Sequence, residues 1–404
     1  MTYPVAGIVA EYNPLHSGHA KHIAQTKALC GAHATVAVLS SCFVQRGEPA
    51  LLDKWTRARM AAACGCDLVL ELPALFSSHN AGVFSKAAVD ILAASGVVTH
   101  ISFGAEDPER LTDSIVDILL NEPESFKLSL KKYLKSGLSF VEARARAADE
   151  MLPGSAELLA GSNNTLALGY LMRIKEKGYR LRALPVKREG ASYNSTDISS
   201  GASSAAVRAA LRRGDKKAAL DALPRASGEI LETALRDGRA CVSSSLYWRL
   251  LRAMLIRARA EDLAKCAEIS EGMENLMISA AKEASSFEEW TDACVSKRYP
   301  AGRVRRAAAH ALLSVGHWSN RAAQRIGPPY IRPLAMNAEG RKLLAEMRKT
   351  SALPIVTTCG QAASLSRYAA EVARIELLAC ELWEETVPNG SFGAEHKRKI
   401  IIEG

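Results

Sequence analysis

The chain has 404 residues, of which 48% are hydrophobic and 24% charged, with a formal net charge of +9. That is long enough for two or three domains with proper cores, and the balance excludes disorder as the default state. No apolar run reaches the roughly 18 to 20 residues of a membrane span, and the N-terminus lacks the basic flank and long apolar stretch of an export signal, so a soluble, cytoplasmic protein is expected.

The nine cysteines are an odd number without paired C-x-x-C motifs, which favours free thiols over disulfides or zinc. Charge is distributed unevenly: residues 201–404 carry +8 of the +9, and residues 296–349 hold 12 Lys/Arg against only Glu339 and Glu346. A polyanionic partner such as nucleic acid accounts for this excess, and so does a solvated basic face.

In chain order, Val5–Val9 is an apolar run of strand type that ends in a turn with Asn13-Pro14, and His16-Ser17-Gly18-His19 opens a helix over 19–30. A strand, a turn and a helix start in sixteen residues form an anion site, because backbone N–H groups and the dipole favour phosphate and imidazoles there can donate to its oxygens. His16, His19 and His22 are spaced by three, but only His19 and His22 share a helix face, so the triplet is not read as a metal site. Ala34–Leu39 is a second strand, followed by the polar loop Ser40 to Pro49 at the sheet edge where doubly wound folds bind ligands. Lys54-Trp55-Thr56-Arg57 starts a helix capped by Asp53. Lys54 and Arg57 read equally well as surface charges, and Trp55 reads as packing.

Asp67 to Pro73 is a third strand, residues 83–94 a helix and Val98–Phe103 a fourth strand. This alternation predicts an α/β fold, a Rossmann-like doubly wound parallel sheet. Residues 108–178 are mainly helical, Tyr179–Val186 is a fifth strand, and Lys187-Arg188 leads through Glu189-Gly190-Ala191-Ser192-Tyr193-Asn194 and serine-rich turns to Ser203 or Ser204, either of which caps a helix carrying Arg208. The Rossmann-like domain is expected over 1–214. A basic, mainly helical domain follows over 215–404, with helices at 216–222, 227–236, 244–259, 261–283, 286–294, 301–315, 338–349 and 363–382 and a short strand near 354–356. The tail from Glu395 either packs or frays.

No Walker motif, G-x-S-x-G elbow or Ser/His/Asp set is evident, which leaves in-line displacement at phosphorus stabilised by positive groups. The clamp would be drawn from Asn13, His16, His19, Arg46, Lys54, Arg188, Ser204 and Arg208. Ser296 to Arg306 interleaves cations with Tyr299, a pattern suited to phosphate contacts and one stacked base or to an exposed basic helix; Arg303 and Arg306 share a face.

Glu11-Tyr12-Asn13-Pro14-Leu15-His16-Ser17-Gly18-His19, Gln45-Arg46-Gly47-Glu48-Pro49, Lys54-Trp55-x-Arg57, Asp67-x-x-x-Glu71-Leu72-Pro73, Phe103-Gly104-x-Glu106, Asn163-Asn164, Lys297-Arg298-Tyr299, Tyr330-Ile331-Arg332 and Glu339-Gly340 together resemble the bacterial tRNA(Met) cytidine acetate ligase family, a branch of the HIGH-type nucleotidyltransferase-like superfamily. The sequence departs from that pattern at Leu15, Ser17, Gly161-Ser162 and Ala205. The resemblance implies an ATP-dependent ligase that makes acetyl-adenylate and acetylates N4 of the wobble cytidine of elongator tRNA(Met). It places ATP on Gly7, Ile8, Val9, Ala10, Glu11, Tyr12, Asn13, Pro14, Leu15, His16, Ser17, Gly18, His19 and Ala20, with Gly104, an asparagine of the pair (Asn163 over Asn164) and Arg188. His16, His19 and Arg208 would grip phosphates, Lys54 or Arg46 would orient acetate or pyrophosphate, and Mg2+ would accompany ATP. Lys297, Arg298, Tyr299, Arg303, Arg306 and Arg332 would meet the tRNA. Two rivals remain: a nucleotidyltransferase adenylating a small phosphorylated metabolite, and a non-catalytic RNA-binding protein on a Rossmann scaffold.

Overall fold

The computed structural model describes residues 3–188 and 203–403. The turn residues Glu189 to Asn194 and the serines up to 202 lie outside the described residues. Five apolar runs become parallel strands: β1 (Val5–Ala10), β2 (Ala34–Ser40), β3 (Leu68–Leu72), β4 (His100–Ala105) and β5 (Arg182–Lys187). β2 and β3 are buried at every position, as central strands covered on both faces must be, with Glu71 the one charged residue between them. The crossovers carry α1 (Ser17–Cys30), α2 (Lys54–Ala63), α3 (Ala81–Ala94) and α4 (Ser162–Lys177). Asp53 caps α2 as expected, its carboxylate accepting from the Trp55 and Thr56 amides at 2.8 and 3.0 Å.

The segment after Ser203 does not form a separate helical body. It supplies α5 (Ser204–Arg212), α6 (Ala301–Leu312), α7 (Ala338–Thr350) and α8 (Arg367–Glu384), and it also adds β6 (Pro333–Met336) and β7 (Ile401–Ile402) to the sheet, whose order is β5-β4-β1-β2-β3-β6-β7. β6 runs antiparallel to β3 and parallel to β7. The boundary expected at 214 is therefore not a boundary of the sheet. Because side chains alternate along each strand, Ile8, Ala37, Leu39 and Val69 pack under α1, α2 and helices after Ser203. Val36, Val38, Leu70, Ile101 and Phe103 pack on the opposite face with residues of α3, α4, α7 and α8.

Three further expectations change. The helix read over 261–283 is broken into Ala260–Leu263 and Met273–Glu283. Between them Glu268, Glu271 and Gly272 adopt positive φ, and the exposed carbonyls are taken up from outside: Tyr299 Oη donates to Ser270 and Glu271, and Arg303 Nε to Glu268. The strand near 354–356 is a single bridge from Ile355 to Ile331, and a helix not expected from the sequence spans His317–Ile326. The tail packs, with Glu395 buried and β7 on the sheet edge. Among the described residues no helix is long and apolar enough to cross a membrane.

Candidate active site

β1 leads to β2 and β3 on one side and β4 to β5 on the other, so strand order reverses between β1 and β4. Ligands of doubly wound sheets sit beyond the C-terminal strand ends at such a reversal. A cleft opens there, lined by Ile8 to Asn13, the imidazoles of His16, His19 and His22, Gln45, Arg46, Glu48, Gly104, Asn163, Arg188 and the start of α5 with Arg208.

The α1 turn is built from its own side chains. His16 is the N-cap: its Nδ1 accepts from the Gly18 amide at 3.1 Å, and His19 Nδ1 accepts from the His16 amide at 3.3 Å. With both Nδ1 atoms accepting, each neutral ring carries its proton on Nε2. Burial and the nearby Arg188 push His16 and His22 down to about 4; burial, His16, Arg188 and His22 hold His19 well below the usual imidazole range. The α1 N-terminus thus offers an uncharged pair of N–H donors whose rings lie 3.8 Å apart. In the free protein these groups charge only in acid, so the acid limb that they impose on kcat/KM for a reaction in this cleft lies below pH 5; a limb near 6.5 in a pH–rate profile would show ordinary, solvated imidazoles.

The turn between β1 and α1 is braced from behind. Tyr12 takes a positive φ of 44° with its ring buried, Asn13 Oδ1 accepts from the Leu51 amide at 2.7 Å, and Arg208 Nη1 donates to the Asn13 carbonyl at 2.6 Å. Ser204 Oγ donates to the Pro14 carbonyl and Ser227 Oγ to that of Leu15. Ser17 Oγ is turned away, donating to the Ala222 carbonyl at 2.8 Å. Of the stretch expected to meet ATP, Gly7, Pro14, Leu15, Ser17 and Ala20 therefore stand behind the cleft rather than on its wall. Gly7 packs on Leu92, where a Cβ would come within 2.8 Å, and Leu15 is in the core.

Glu106, just beyond β4, accepts from the Asn163 and Asn164 amides at 3.1 and 2.7 Å, a carboxylate at the N-terminus of α4. This sorts the asparagine pair. Asn164 Oδ1 folds back to accept from the Glu106 and Asp107 amides, whereas Asn163 faces the cleft and accepts from Arg188 Nη1 at 3.4 Å. Arg188 lies across Gly104, where a Cβ would stand 3.0 Å from its Cγ. The loop after β2 forms a short hairpin, Phe43–Val44 with Glu48–Pro49, that puts Gln45, Arg46 and Glu48 on the wall. Gly47, at φ 74°, lets it approach the α6 backbone, where a Cβ would lie 2.5 Å from Arg305, and Arg305 Nη1 donates to Glu48 at 2.7 Å.

Lys54 is not in this cleft. Its ammonium is wholly buried, 2.5 Å from Glu71, 2.5 Å from Glu376 and 2.9 Å from Glu395. Three carboxylates already neutralise it, so it has no reach to acetate or pyrophosphate. Arg332, expected at the tRNA, is buried in the same cluster, 2.6 Å from Glu395 and 3.3 Å from Glu71. Arg57 is buried too, and donates to the carbonyls of Glu11, Ser40, Ser41 and Leu52. The surface reading of Lys54 and Arg57 falls with these contacts. Trp55 packs as expected and its Nε1 donates to Glu395. Tyr299 is buried against the 268–272 turn and unavailable for stacking; Arg303 and Arg306 are half-buried on Ser270 and Glu268, while Lys297 and Arg298 are exposed.

Residues 3–397 match the HIGH nucleotidyl transferase family. A tRNA(Met) cytidine acetate ligase of Syntrophomonas wolfei is 37% identical over 357 residues, 87% of this chain and 86% of that one. The chain belongs to this family. Among solved structures, Thermotoga maritima TmcAL superposes with a TM-score of 0.93 at 30% identity over 99% of both chains, and the same protein bound to α-thio-ATP superposes at 0.92. The chain thus shares its family and its fold with these proteins over nearly its whole length.

Proposed function

We propose that the protein activates acetate with ATP and transfers the acetyl group to N4 of the wobble cytidine of elongator tRNA(Met), in the cytoplasm. The observation that carries this reading is the pair of neutral Nε2–H donors, His16 and His19, at a helix N-terminus in a cleft that also holds Arg188 and Arg208. In the first step an acetate oxygen attacks the α-phosphorus and pyrophosphate departs with the bonding electrons. The imidazole donors, Arg188 and Arg208 stabilise the charge gathering on the phosphoryl oxygens without reorganising. In the second, the cytidine amine attacks the acyl carbon, AMP leaves with the C–O electron pair, and the amine loses a proton. Mg2+ enters as the counter-ion of ATP's phosphates. Among the described residues no group of three His, Cys, Asp or Glu side chains is placed to hold a metal, so the ion would be carried by the nucleotide's own phosphates.

Labelled acetate with ATP and a tRNA(Met) transcript should label the RNA only when the wobble base is cytidine. Adenylation of a phosphorylated metabolite without acetate transfer would favour the simpler nucleotidyltransferase. Lys297 and Arg298 are exposed near the start of α6 and suit phosphate contacts. Replacing both by alanine should weaken tRNA binding at low salt and reduce the slope of log K against log salt by about 1 to 2. An unchanged slope would make them an ordinary solvated face.

A further inference from the structure

Residues 296–349 hold 12 Lys/Arg, and the fold ties most of them down. Arg305 and Arg306 pair with Glu48 and Glu268, Arg332 is buried, and Lys342 and Lys349 pair along α7 with Glu339 and Glu346. Arg321 and Arg325 differ: both are exposed on the His317–Ile326 helix, and among the described residues neither meets a carboxylate. They follow Trp318 at i+3 and i+7, so the three side chains share one helix face.

Trp318 is 56% exposed, whereas Trp55, Trp248, Trp290 and Trp383 are at most 4% exposed. The Tyr368 ring meets it at 76° with centroids 6.4 Å apart, which holds the indole without stacking over it. A groove separates this face from α8, which contributes Arg367, exposed and likewise without a carboxylate among the described residues, together with Glu371 and Arg374. Glu371 is the one carboxylate among the described lining residues, and it is already neutralised. It accepts from Arg374 Nε and Nη2 at 2.8 and 2.9 Å and from Ser319 Oγ at 2.7 Å. The helix also stands over the same sheet edge as the active-site cleft. Asn320 Oδ1 accepts from His79 Nε2 at 2.6 Å, just past the short helix Ala74–Ser77 that follows β3, and Ser77 Oγ donates at 2.7 Å to the Phe43 carbonyl of the hairpin on the cleft wall.

We propose that Trp318, Arg321, Arg325 and Arg367 form an RNA-binding surface, on which an unpaired base of the substrate RNA stacks against the indole while the arginines hold the neighbouring phosphates. That the RNA is a tRNA rests on the ligase reading above. An open aromatic face with arginines beside it holds loop nucleotides through stacking and charge, and an arginine free of carboxylates can give its whole fork to a phosphate. A tRNA whose reacting base enters the cleft must run adjacent loop nucleotides over the sheet edge, where this surface lies. A second copy of the chain does not suit the face, since two-fold pairing would set arginine against arginine.

Because the other four tryptophans are buried, the fluorescence that acrylamide can quench in the full-length protein reports Trp318. A saturating tRNA(Met) transcript should lower the quenching constant of that accessible fraction by about threefold or more, as a base covers the indole. Trp318→Ala should weaken RNA binding by about 5- to 100-fold with an unchanged slope of log K against log salt, and Trp318→Phe should recover part of the affinity. Arg321→Gln combined with Arg325→Gln should instead reduce that slope by about 1 to 2. Quenching that is the same with and without RNA overturns the surface, and so does equal protection by heparin or by phosphatidylglycerol vesicles, which would mark a patch for polyanions or lipid. Acetate transfer separates this proposal from the reading it rests on. Transfer to tRNA(Met) with Trp318 still quenchable keeps the ligase reading and removes the surface, whereas protection of Trp318 by RNA without transfer keeps the surface and ends the ligase reading.

Discussion

A His19→Ala variant turns over ATP about 100- to 1000-fold more slowly than the wild-type protein, the cost of removing one preorganised donor from a developing oxyanion, and binds tRNA with unchanged affinity. Two effects combine in that loss. The Nε2–H donor disappears, and so does the Nδ1 acceptor that holds the His16 amide at 3.3 Å, which loosens the capping box presenting the second imidazole. His19→Asn, able to donate but shorter and differently aimed, should recover only part of the rate. Acetate-dependent exchange of labelled pyrophosphate into ATP measures the effect before any tRNA is involved, and filter binding measures the RNA separately. Exchange within threefold of wild type would remove His19 from the phosphate clamp. Loss of tRNA binding in parallel would instead indicate that the turn between β1 and α1 had collapsed, because that turn is fastened to α5 through Arg208 and Ser204.

The parts of this molecule that were legible in the sequence are those whose signals are local. β1 to β4 declare themselves by apolar runs, and the α2 cap by an aspartate at the right offset. His16 and His19 are visible because capping and phosphate donation both need their residue types within one turn. β6 and β7, of four and two residues, are too short to carry a period and become strands only because β3 presents an edge to pair with. The break at 264–272 is concealed because both halves keep helical spacing, and the groups that accommodate it, Tyr299 and Arg303, lie some thirty residues on. Arg332 fails as an RNA contact for the same reason of distance, its carboxylate partners being 261 and 63 residues away.

Lys54 is the sharpest case, and its substitution has the second large expected effect. Sequence reasoning placed it either on the surface or beside acetate, since the carboxylate of Glu376 that neutralises it stands 322 residues away. Lys54→Met should lower folding stability by about 3 to 5 kcal/mol, because it leaves Glu71, Glu376 and Glu395 to share the single charge of Arg332 in the interior. Urea denaturation measures the loss; at a temperature where the variant remains folded, its KM for ATP should lie within about threefold of wild type. A stable variant with a large change in KM would return Lys54 to the active site. The cluster's own imbalance supplies the control. Three carboxylates face two cations, and burial together with Glu376 pushes Glu71 up to about 7, while Lys54 and Arg332 overcome burial to hold Glu395 down to about 2. Glu71 thus carries the surplus proton. A carboxyl raised above its unfolded value of about 4.3 contributes stability that is fully present below that value and is lost as pH rises through 7. Glu71→Gln removes only that penalty and one acceptor oxygen, so its stability relative to wild type should improve between pH 5 and pH 8, whereas Lys54→Met should be destabilised throughout that range. The opposite ordering of the two variants would mean that the negative surplus rests on a carboxylate other than Glu71.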